Sequence, residues 1–269
     1  MLLNWTKNLL GEHGIKPNKR LGQNFLIDVD AMHKLLSAAH ISKDDIVLEV
    51  GAGIGTITLE LAKLAKKVIA VEKDRALIPI LKETTKDFGN IEMVVGDILK
   101  LPYTLYPVPC TLVGNIPYYL TAPLIRKFVE SENPPESMTL MVQKEMAQRI
   151  CSKPPDMSIL AVSVQVYAKP EIVDYVSRSC FWPAPEVDSA ILRITQINTD
   201  MNTDMHRFFK LVKAGFSNPR KQLINNLSKG LDINREQTQQ WLKSCGVDPT
   251  RRAETLAVEE WAHLAKLSP

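Results

Sequence analysis

The stretch Val47-Leu48-Glu49-Val50-Gly51-Ala52-Gly53-Ile54-Gly55-Thr56 decides the fold that this sequence predicts. An apolar run of strand character is followed by three alternating glycines, and an amphipathic segment begins near Thr56. We interpret this order as strand, tight loop and helix. Glycine adopts backbone angles that other residues avoid, and it lets a ligand approach the main chain near the positive end of the following helix. We therefore expect a nucleotide-like ligand at this loop.

The spacing of the glycines favours one class of nucleotide ligand over another. The dinucleotide fingerprint G-x-G-x-x-G requires a glycine where this chain has Thr56, so the pattern here is G-x-G-x-G. Glu49 stands two residues before the first glycine, and a carboxylate there would repel a pyrophosphate and favour an ammonium or sulfonium group. The loop therefore favours S-adenosylmethionine over NAD, and it leaves open a plain tight turn in an unrelated α/β protein.

Two acidic residues follow the next two predicted strands. The continuous apolar run 68–71 is typical of a parallel strand that is covered on both faces, and it ends at Glu72. A third strand, 91–95, precedes Asp97 and Ile98. Ligands collect at the carboxyl ends of parallel strands, so we expect Glu72 to hold ribose hydroxyls and Asp97 to accept from an adenine amine, with Ile98 against the ring. For Glu72, an exposed helix cap is the alternative.

A fourth predicted strand, 111–113, leads into Gly114-Asn115-Ile116-Pro117-Tyr118-Tyr119. Proline fixes this loop, so that the Asn115 side chain and the Ile116 carbonyl point in one direction beside the Tyr118 ring. Two acceptors next to a ring match a planar group that bears an amine, such as a nucleobase. An ordinary β-turn also favours Asn and Pro, but it needs no tyrosine directly after a buried strand.

The remaining pattern predicts a Rossmann-like α/β sheet domain over residues 1–197 and a small all-helical domain over 198–269. The sheet domain would contain helices at 29–40, 56–66, 75–85, 121–131 and 144–151, and further strands at 138–142, 159–167, 172–178 and 189–195. A polar linker at 198–204 would precede helices at 206–216, 219–229, 235–245 and 258–267.

The N-terminal residues predict a mobile, basic lead-in to about Lys19, with a short helix around Trp5, Leu9 and Leu10. Gln23-Asn24 follows, a polar pair among apolar neighbours. We expect these two side chains to cap the helix that begins near Asp28, with hydrogen bonding to a ligand as the alternative.

Basic residues are concentrated in two segments, although the formal net charge of the 269 residues is only +3. One group, ahead of the glycine loop, is Lys16, Lys19 and Arg20. The other lies in a late segment whose only acid is Asp232, and it comprises Arg207, Lys210, Lys213, Arg220, Lys221, Lys229 and Arg235. Such patches suit a polyanion, and solvated helix faces are the alternative.

The cysteines and histidines predict no metal site. The four cysteines lie far apart without a C-x-x-C pair, and the five histidines are equally scattered. We expect thiols in a reducing compartment. The sequence has neither a long apolar span nor the pattern of a secretory signal, which predicts a cytoplasmic protein without a membrane partner.

Several spaced motifs together resemble those of the ribosomal RNA adenine N6-dimethyltransferases, which include small-subunit enzymes of ribosome biogenesis and the macrolide-resistance methylases. The resemblance covers nearly the whole chain. The motifs are Gly22-Gln23-Asn24-Phe25-Leu26, Glu49 to Gly55, Val71-Glu72, Gly96-Asp97, Asn115-Ile116-Pro117-Tyr118 and Phe181 to Val187.

The resemblance implies S-adenosylmethionine as cofactor and assigns a place to each motif. Asn24 and Leu26 would line the methionine side of its pocket, Gly51, Gly53 and Gly55 would shape the loop beneath it, Glu72 would hold the ribose, and Asp97 with Ile98 the adenine. Asn115 would face both cofactor and target, while Tyr118 and Phe181 would stack on opposite faces of the target adenine.

The tail Arg252-Ala253-Glu254-Thr255-Leu256 resembles the small-subunit branch of the family. This resemblance implies N6,N6-dimethylation of adjacent adenosines near the 3′ end of the small-subunit RNA, in an immature small ribosomal subunit, by a monomer that needs no metal. The alternatives are a resistance-type methylase of the large-subunit RNA, a methylase of DNA or protein amides, a non-catalytic assembly factor and a nicotinamide oxidoreductase.

Overall fold

A computed structural model describes residues 2–105, 107–198 and 204–269. The chain divides into two compact units, one from Met1–Ala147 and Pro170–Ile197, the other from Gln148–Lys169 and Asn198–Pro269. The second unit thus includes residues 148–169, which the sequence analysis placed in the sheet domain. Of the predicted linker, residues 199–203 lie outside the described residues.

The first unit is built on a seven-stranded sheet in the order β4-β3-β2-β5-β6-β9-β7, and a separate two-stranded sheet pairs β1 with β8. Strands β2 to β6 form consecutive parallel pairs, and β9 runs antiparallel to β6. This architecture confirms the predicted α/β class. The strands are β1 Phe25–Leu26, β2 Ile46–Val50, β3 Lys67–Glu72, β4 Ile91–Val95, β5 Thr111–Asn115, β6 Ser137–Gln143, β7 Lys169–Val176, β8 Phe181–Trp182 and β9 Ser189–Thr195.

The helices follow the predicted order closely. Apolar side chains at helical spacing bury one face of each, as in α2, where Leu35 and Leu36 lie in the core. The helices are α1 Leu2–Glu12, α2 Val29–Ala39, α3 Thr56–Leu64, α4 Ile78–Thr85, α5 Thr121–Val129, α6 Lys144–Ile150, α7 Ile159–Gln165, α8 Met205–Gly215, α9 Leu223–Leu231, α10 Arg235–Ser244 and α11 Val258–Lys266.

The N-terminal helix α1 is packed against the first unit, so the prediction of a mobile lead-in is wrong for its residues. Leu9 and Leu10 are buried in a cluster with Phe25, Ile54 and Ile80. Burial of several apolar side chains outweighs the polar character of the segment, because each contributes about 1.5–3 kcal/mol.

The helix cap at α2 also differs from the prediction. Asp28 supplies it, with Oδ1 accepting from the Ala31 main-chain N–H at 2.8 Å. The Gln23 side chain instead accepts from the Asn18 N–H and donates to Asp74, and the Asn24 side chain donates to the Gly22 carbonyl. An aspartate at the N-cap position leaves no role there for the preceding pair.

Most of the run 159–167 forms helix α7, Ile159–Gln165, rather than the predicted strand. Ser158 caps the helix by accepting from the Ala161 N–H at 3.1 Å, and Ala161, Val162 and Val164 are buried. Valine and isoleucine favour strands only modestly, so a side-chain cap and burial decide the outcome here.

The helical unit packs around Trp261, which is completely buried. A Cβ atom added to Gly215 would lie 2.4 Å from Cη2 of the Trp261 indole, and one added to Gly230 would lie 2.7 Å from Cβ of Ala214. The Asn226 amide donates to the carbonyls of Gly215 and Asn218 at the end of α8. Glycines at these positions therefore allow the helices to approach closely.

We predict that Gly215→Ala lowers the free energy of unfolding of the helical unit by about 1–3 kcal/mol, because the methyl group overpacks the indole. Gly11→Ala is the matched control, since a Cβ at Gly11 in α1 meets nothing within 4 Å. It should be neutral or stabilising by up to about 1 kcal/mol. Urea unfolding followed by tryptophan fluorescence measures both, and equal effects would contradict the packing argument.

An acidic side chain lies in the core of the sheet. Glu49 in β2 is only 1% exposed, and its Oε2 atom has no hydrogen-bond partner among the described residues. Burial raises the pKa of Glu49 to about 8; the Thr58 hydroxyl opposes this shift and the Glu72 carboxylate adds to it. The carboxyl group is therefore mostly protonated at neutral pH.

We predict that Glu49 makes the folded state less stable as the pH rises. The folded chain keeps the Glu49 proton up to about pH 8, whereas the unfolded chain loses it near the ordinary value of 4.5. Between these values, the contribution of Glu49 to stability falls by about 1.4 kcal/mol per pH unit. Above the folded pKa it is constant.

Unfolding free energies of the wild-type chain and Glu49→Gln, measured at intervals from pH 5 to pH 8, test this sign. The difference between the two should change steadily in favour of Glu49→Gln as the pH rises. Glu132→Gln, which removes an exposed carboxylate, is the control. Parallel curves for wild-type and Glu49→Gln would mean that Glu49 is ionised in the folded chain.

Candidate active site

A cavity of about 230 Å³ lies in the first unit, bordered by residues at the carboxyl ends of β2, β3 and β5 and after β4. Parallel strands present their carboxyl ends at one edge of a sheet, which explains why residues far apart in sequence meet here. The predicted site residues that line it are Asn24, Gly51, Gly53, Glu72, Asp97, Ile98, Asn115, Tyr118 and Phe181.

Two residues to which the resemblance assigns a place at the cofactor, Leu26 and Gly55, do not line the cavity. Leu26 is 2% exposed and belongs to the core, where it pairs with Phe181 across β1 and β8. Gly55 is required for packing, because a Cβ there would lie 2.7 Å from the Thr84 hydroxyl oxygen. Leu26 and Gly55 therefore support the cavity wall from behind.

The glycine loop is held by main-chain hydrogen bonds and by one carboxylate. Gly51 and Gly53 have φ angles of 81° and 60°, in the region that favours glycine. The Gly51 N–H donates to the Val71 carbonyl at 2.9 Å. The Gly53 N–H donates to Oε2 of Glu72 at 2.8 Å, and the Asp74 N–H donates to Oε1 of the same carboxylate at 2.7 Å.

Glu72 is therefore fixed at both oxygens. It is 8% exposed, and burial raises its pKa, although the N–H donors from Asp74 and Gly53 oppose the shift. Each carboxylate oxygen has more than one acceptor site, so both can still accept a hydroxyl hydrogen from the cavity. This arrangement suits a ribose diol.

Asp97 and Ile98 form another part of the cavity lining. Oδ2 of Asp97 pairs with Lys73 at 2.9 Å, and Oδ1 accepts from the Leu99 N–H at 3.1 Å. Burial alone would raise the pKa of Asp97, but the Lys73 and Leu99 hydrogen bonds outweigh it and lower the pKa. Lys127 donates to the Ile98 carbonyl at 2.7 Å and so holds this wall in place.

Asn115 is oriented by a contact to the N-terminal segment. Its Nδ2 atom donates to the Asn24 main-chain carbonyl at 3.0 Å. The amide has only one oxygen, so this bond leaves Oδ1 as the acceptor that serves the cavity. Ile116, whose carbonyl was the second predicted acceptor, also lines the cavity.

The two predicted stacking rings both border the cavity. Tyr118 is half-buried, and its hydroxyl lies 2.9 Å from the Ser189 hydroxyl. Burial raises the pKa of Tyr118, so the phenol is neutral at physiological pH. Phe181 is 3% exposed and is held by its pairing with β1.

The structure corrects the role expected for Glu49. This residue does not line the cavity, and its raised pKa makes it mostly neutral, so it places no negative charge beside a ligand. Glu72 and Asp97 supply the acidic character instead. Strand β2 points alternate side chains to opposite faces, which explains why an acid two residues before the glycines can face the core.

The cavity fits S-adenosylmethionine better than a dinucleotide. Two carboxylates, a free amide oxygen and apolar walls are present, while the lysine that borders the cavity, Lys73, is already paired with Asp97. A pyrophosphate would meet acidic groups without a free cation, whereas a cationic, amine-bearing ligand would find acceptors.

Some cavity residues were not singled out from the sequence. Lys73 and Tyr119 line the cavity, and Tyr119 is 54% exposed at the end of the Asn115 motif. Gln23, for which hydrogen bonding to a ligand was the alternative to a helix cap, lines the cavity too and ties the N-terminal segment to Asp74 at 2.7 Å. Each of these residues is adjacent in sequence to a predicted site residue. Adjacent side chains in a loop can point in different directions, so this adjacency did not by itself predict a place in the cavity.

Within residues 2–105, 107–198 and 204–269, no cluster of three potential ligands is arranged to hold a metal ion. The helices of the same residues are all too short or too polar to cross a membrane.

Comparison with known proteins identifies the family. The family model described as ribosomal RNA adenine dimethylase matches residues 14–268. A protein of Dehalococcoides mccartyi named ribosomal RNA small subunit methyltransferase A is 43% identical over 268 residues, which cover 98% of this chain and 92% of the relative. A protein of the same name from Clostridioides difficile is 42% identical over 275 residues, with coverage of 98% and 95%.

Solved structures agree with this result. A dimethyladenosine transferase from Plasmodium falciparum matches with a TM-score of 0.79 at 27% identity, over 89% of this chain and 95% of the other. The 23S rRNA methyltransferase ErmE matches with a TM-score of 0.75 at 28% identity, over 91% and 99%. The predicted methyltransferase fold and its methyl donor, S-adenosylmethionine, are confirmed, and the chain belongs to the ribosomal RNA adenine dimethylase family.

Proposed function

We propose that this chain transfers methyl groups from S-adenosylmethionine to the N6 amine of adjacent adenosines near the 3′ end of small-subunit ribosomal RNA. The observation that carries the proposal is the Asn115 amide, whose nitrogen is engaged by the Asn24 carbonyl and whose oxygen is left for the cavity between Tyr118 and Phe181. A planar ring that bears an exocyclic amine matches these groups.

The choice of the small-subunit RNA rests on the relatives. Those at 42–43% identity are named for the small subunit, while ErmE, named for 23S rRNA, is 28% identical. This difference favours the small-subunit reaction over the resistance-type alternative. We further propose that the substrate is an immature small subunit and that the chain acts as a monomer in the cytoplasm.

Different cavity residues would bind different parts of the cofactor. Glu72 would accept from ribose hydroxyls, Asp97 from the adenine amine of the cofactor, and Ile98 would pack on that adenine. S-adenosylmethionine, when bound, supplies a methyl group on a positively charged sulfur. The Asn24 carbonyl would hold Asn115 between the two reactants.

The target amine is a weak nucleophile because its lone pair is delocalised into the ring. Hydrogen bonds from this amine to Asn115 Oδ1 and the Ile116 carbonyl would favour a pyramidal nitrogen with an exposed lone pair. The methylated nitrogen is then acidic and releases its proton to water, so no strong base is required. Positioning of this kind can lower a barrier by roughly 7–11 kcal/mol.

Tyr118 and Phe181 would receive the target base after it leaves its stack in the RNA. Stacking on aromatic side chains contributes about 1–3 kcal/mol per base, which offsets part of the cost of unstacking.

The helical unit would bind the phosphate backbone. Several of its basic side chains are exposed and form no ion pair within the described residues; they include Lys210, Lys213, Arg220, Lys221 and Lys229. Unpaired cations release counterions from RNA on binding, so affinity should fall steeply with salt.

We predict that Glu72→Gln weakens S-adenosylmethionine binding by about tenfold or more, because charge-assisted hydrogen bonds each contribute about 1.5–3 kcal/mol. The amide can accept at only one atom, which also loosens the glycine loop. Calorimetric titration measures the affinity, Glu132→Gln is the control, and NAD should give no thermal shift with either variant. An unchanged affinity of Glu72→Gln for S-adenosylmethionine would contradict the proposed role of Glu72 in binding the ribose.

The central experiment offers labelled S-adenosylmethionine and separate pools of immature small subunits, immature large subunits, naked DNA and protein extract. We expect label only in the small-subunit RNA, at adenine N6. Label confined to large subunits, DNA or protein would reject the proposed substrate.

In the same assay, Asn115→Ala should lower the methylation rate at least about a hundredfold, because orientation of the amine is lost. RNA binding, measured by filter retention, should change by less than about threefold, since Asn115 contacts no phosphate in the proposal. An equal loss of both would favour a binding role for Asn115, as expected of a non-catalytic assembly factor.

A further inference from the structure

We propose that Ser189 is a positioning residue that sets the orientation of the Tyr118 ring through the hydrogen bond between their hydroxyl groups. This inference rests on the proposed function, because it concerns how the cavity receives the target base. Ser189 itself does not line the cavity and was not singled out from the sequence.

The Ser189 hydroxyl is held in a fixed position. Ser189 is completely buried at the first position of β9, where it pairs with Gln143 of β6. Its side chain has a single rotatable bond before the oxygen, and its backbone is fixed by the sheet. The oxygen that meets the Tyr118 hydroxyl at 2.9 Å therefore has little freedom to move.

Tyr118 is held at both ends as a result. Its backbone begins a short turn directly after Pro117, and the Leu120 N–H donates to the Pro117 carbonyl at 2.9 Å. Rotation about the Cα–Cβ bond swings the phenolic oxygen by several times the tolerance of a hydrogen bond. A bond at that oxygen consequently fixes the direction of the ring axis and, with it, where the ring lies in the cavity.

The residue before Ser189 contacts the segment that carries the second ring. Oδ1 of Asp188 accepts from the Arg178 N–H at 3.0 Å, and Arg178 begins the short turn that leads into Phe181. The dipeptide Asp188-Ser189 thus bonds both to Tyr118 and to the turn before Phe181.

The hydrogen bond between Ser189 and Tyr118 does more than give the Tyr118 hydroxyl a partner. Tyr118 is only half-buried, so water could satisfy its hydroxyl, whereas the buried Ser189 places the hydrogen-bond partner at one fixed point. Stacking weakens when two rings are not parallel and offset, so a loose Tyr118 ring would hold the target base in a spread of orientations.

A double-mutant cycle with Tyr118→Phe and Ser189→Ala tests the proposal, because each change removes the same hydrogen bond from a different side and Tyr118→Phe keeps the ring. Methylation of immature small subunits is measured at saturating cofactor. We expect each single variant to lower kcat about three- to tenfold, the range for loss of one hydrogen bond, with KM changed less than about twofold. The double variant should be no slower than the slower single variant.

A spectroscopic measurement separates positioning from folding. An RNA fragment that carries 2-aminopurine at the target position should show less quenched fluorescence, with a broader distribution of lifetimes, when bound to Ser189→Ala or Tyr118→Phe than when bound to the wild-type chain. Affinity for S-adenosylmethionine should be unchanged in both. Ser137→Ala is the matched control, since it removes a buried hydroxyl at the opposite end of β6 and should behave as wild type.

Three outcomes would overturn the inference: additive losses in the double variant, an unchanged kcat in both single variants, or loss of cofactor affinity in parallel with kcat. A wild-type chain that does not methylate RNA would instead reject the proposed function, and the two failures are therefore distinguishable.

Discussion

The buried carboxylate of Glu72 joins the two loops that form the floor of the cavity. It accepts from the Gly53 N–H with one oxygen and from the Asp74 N–H with the other, so it connects the glycine loop to the end of β3. Because Asp74 also accepts from Gln23, the same group connects indirectly to the N-terminal segment. A carboxylate with two partners is one of few groups that can bridge loops and still accept from a ligand.

The N-terminal residues complete the cavity rather than trailing from it. Helix α1 packs beside Ile54 and Ile80, β1 pairs with β8, and the Asn24 carbonyl receives the Asn115 amide. The group proposed to orient the target amine is thus itself oriented by a segment that lies 91 residues away in sequence.

The three acidic residues Glu49, Glu72 and Asp97 differ in the direction and cause of their pKa shifts. Glu49 is buried and mostly protonated, Glu72 is buried but hydrogen-bonded by main-chain donors, and Asp97 is stabilised as an anion by Lys73. The three acids therefore differ in how readily they ionise, because their surroundings differ. Glu72 and Asp97 line the cavity that favours a cationic cofactor, whereas the mostly neutral Glu49 lies outside its lining.

The sequence by itself determined the parallel sheet, the glycine loop and the acids at the ends of β3 and β4, because local hydrophobic patterns and turn chemistry report directly on neighbouring residues. It also determined the family, since several motifs occur in a fixed order. Only the tertiary structure decided that 159–165 is helical, that Leu26 and Glu49 face the core, and that Ser189 meets Tyr118. These outcomes depend on which face of an element is buried and on contacts between distant residues, and neither is encoded in local spacing.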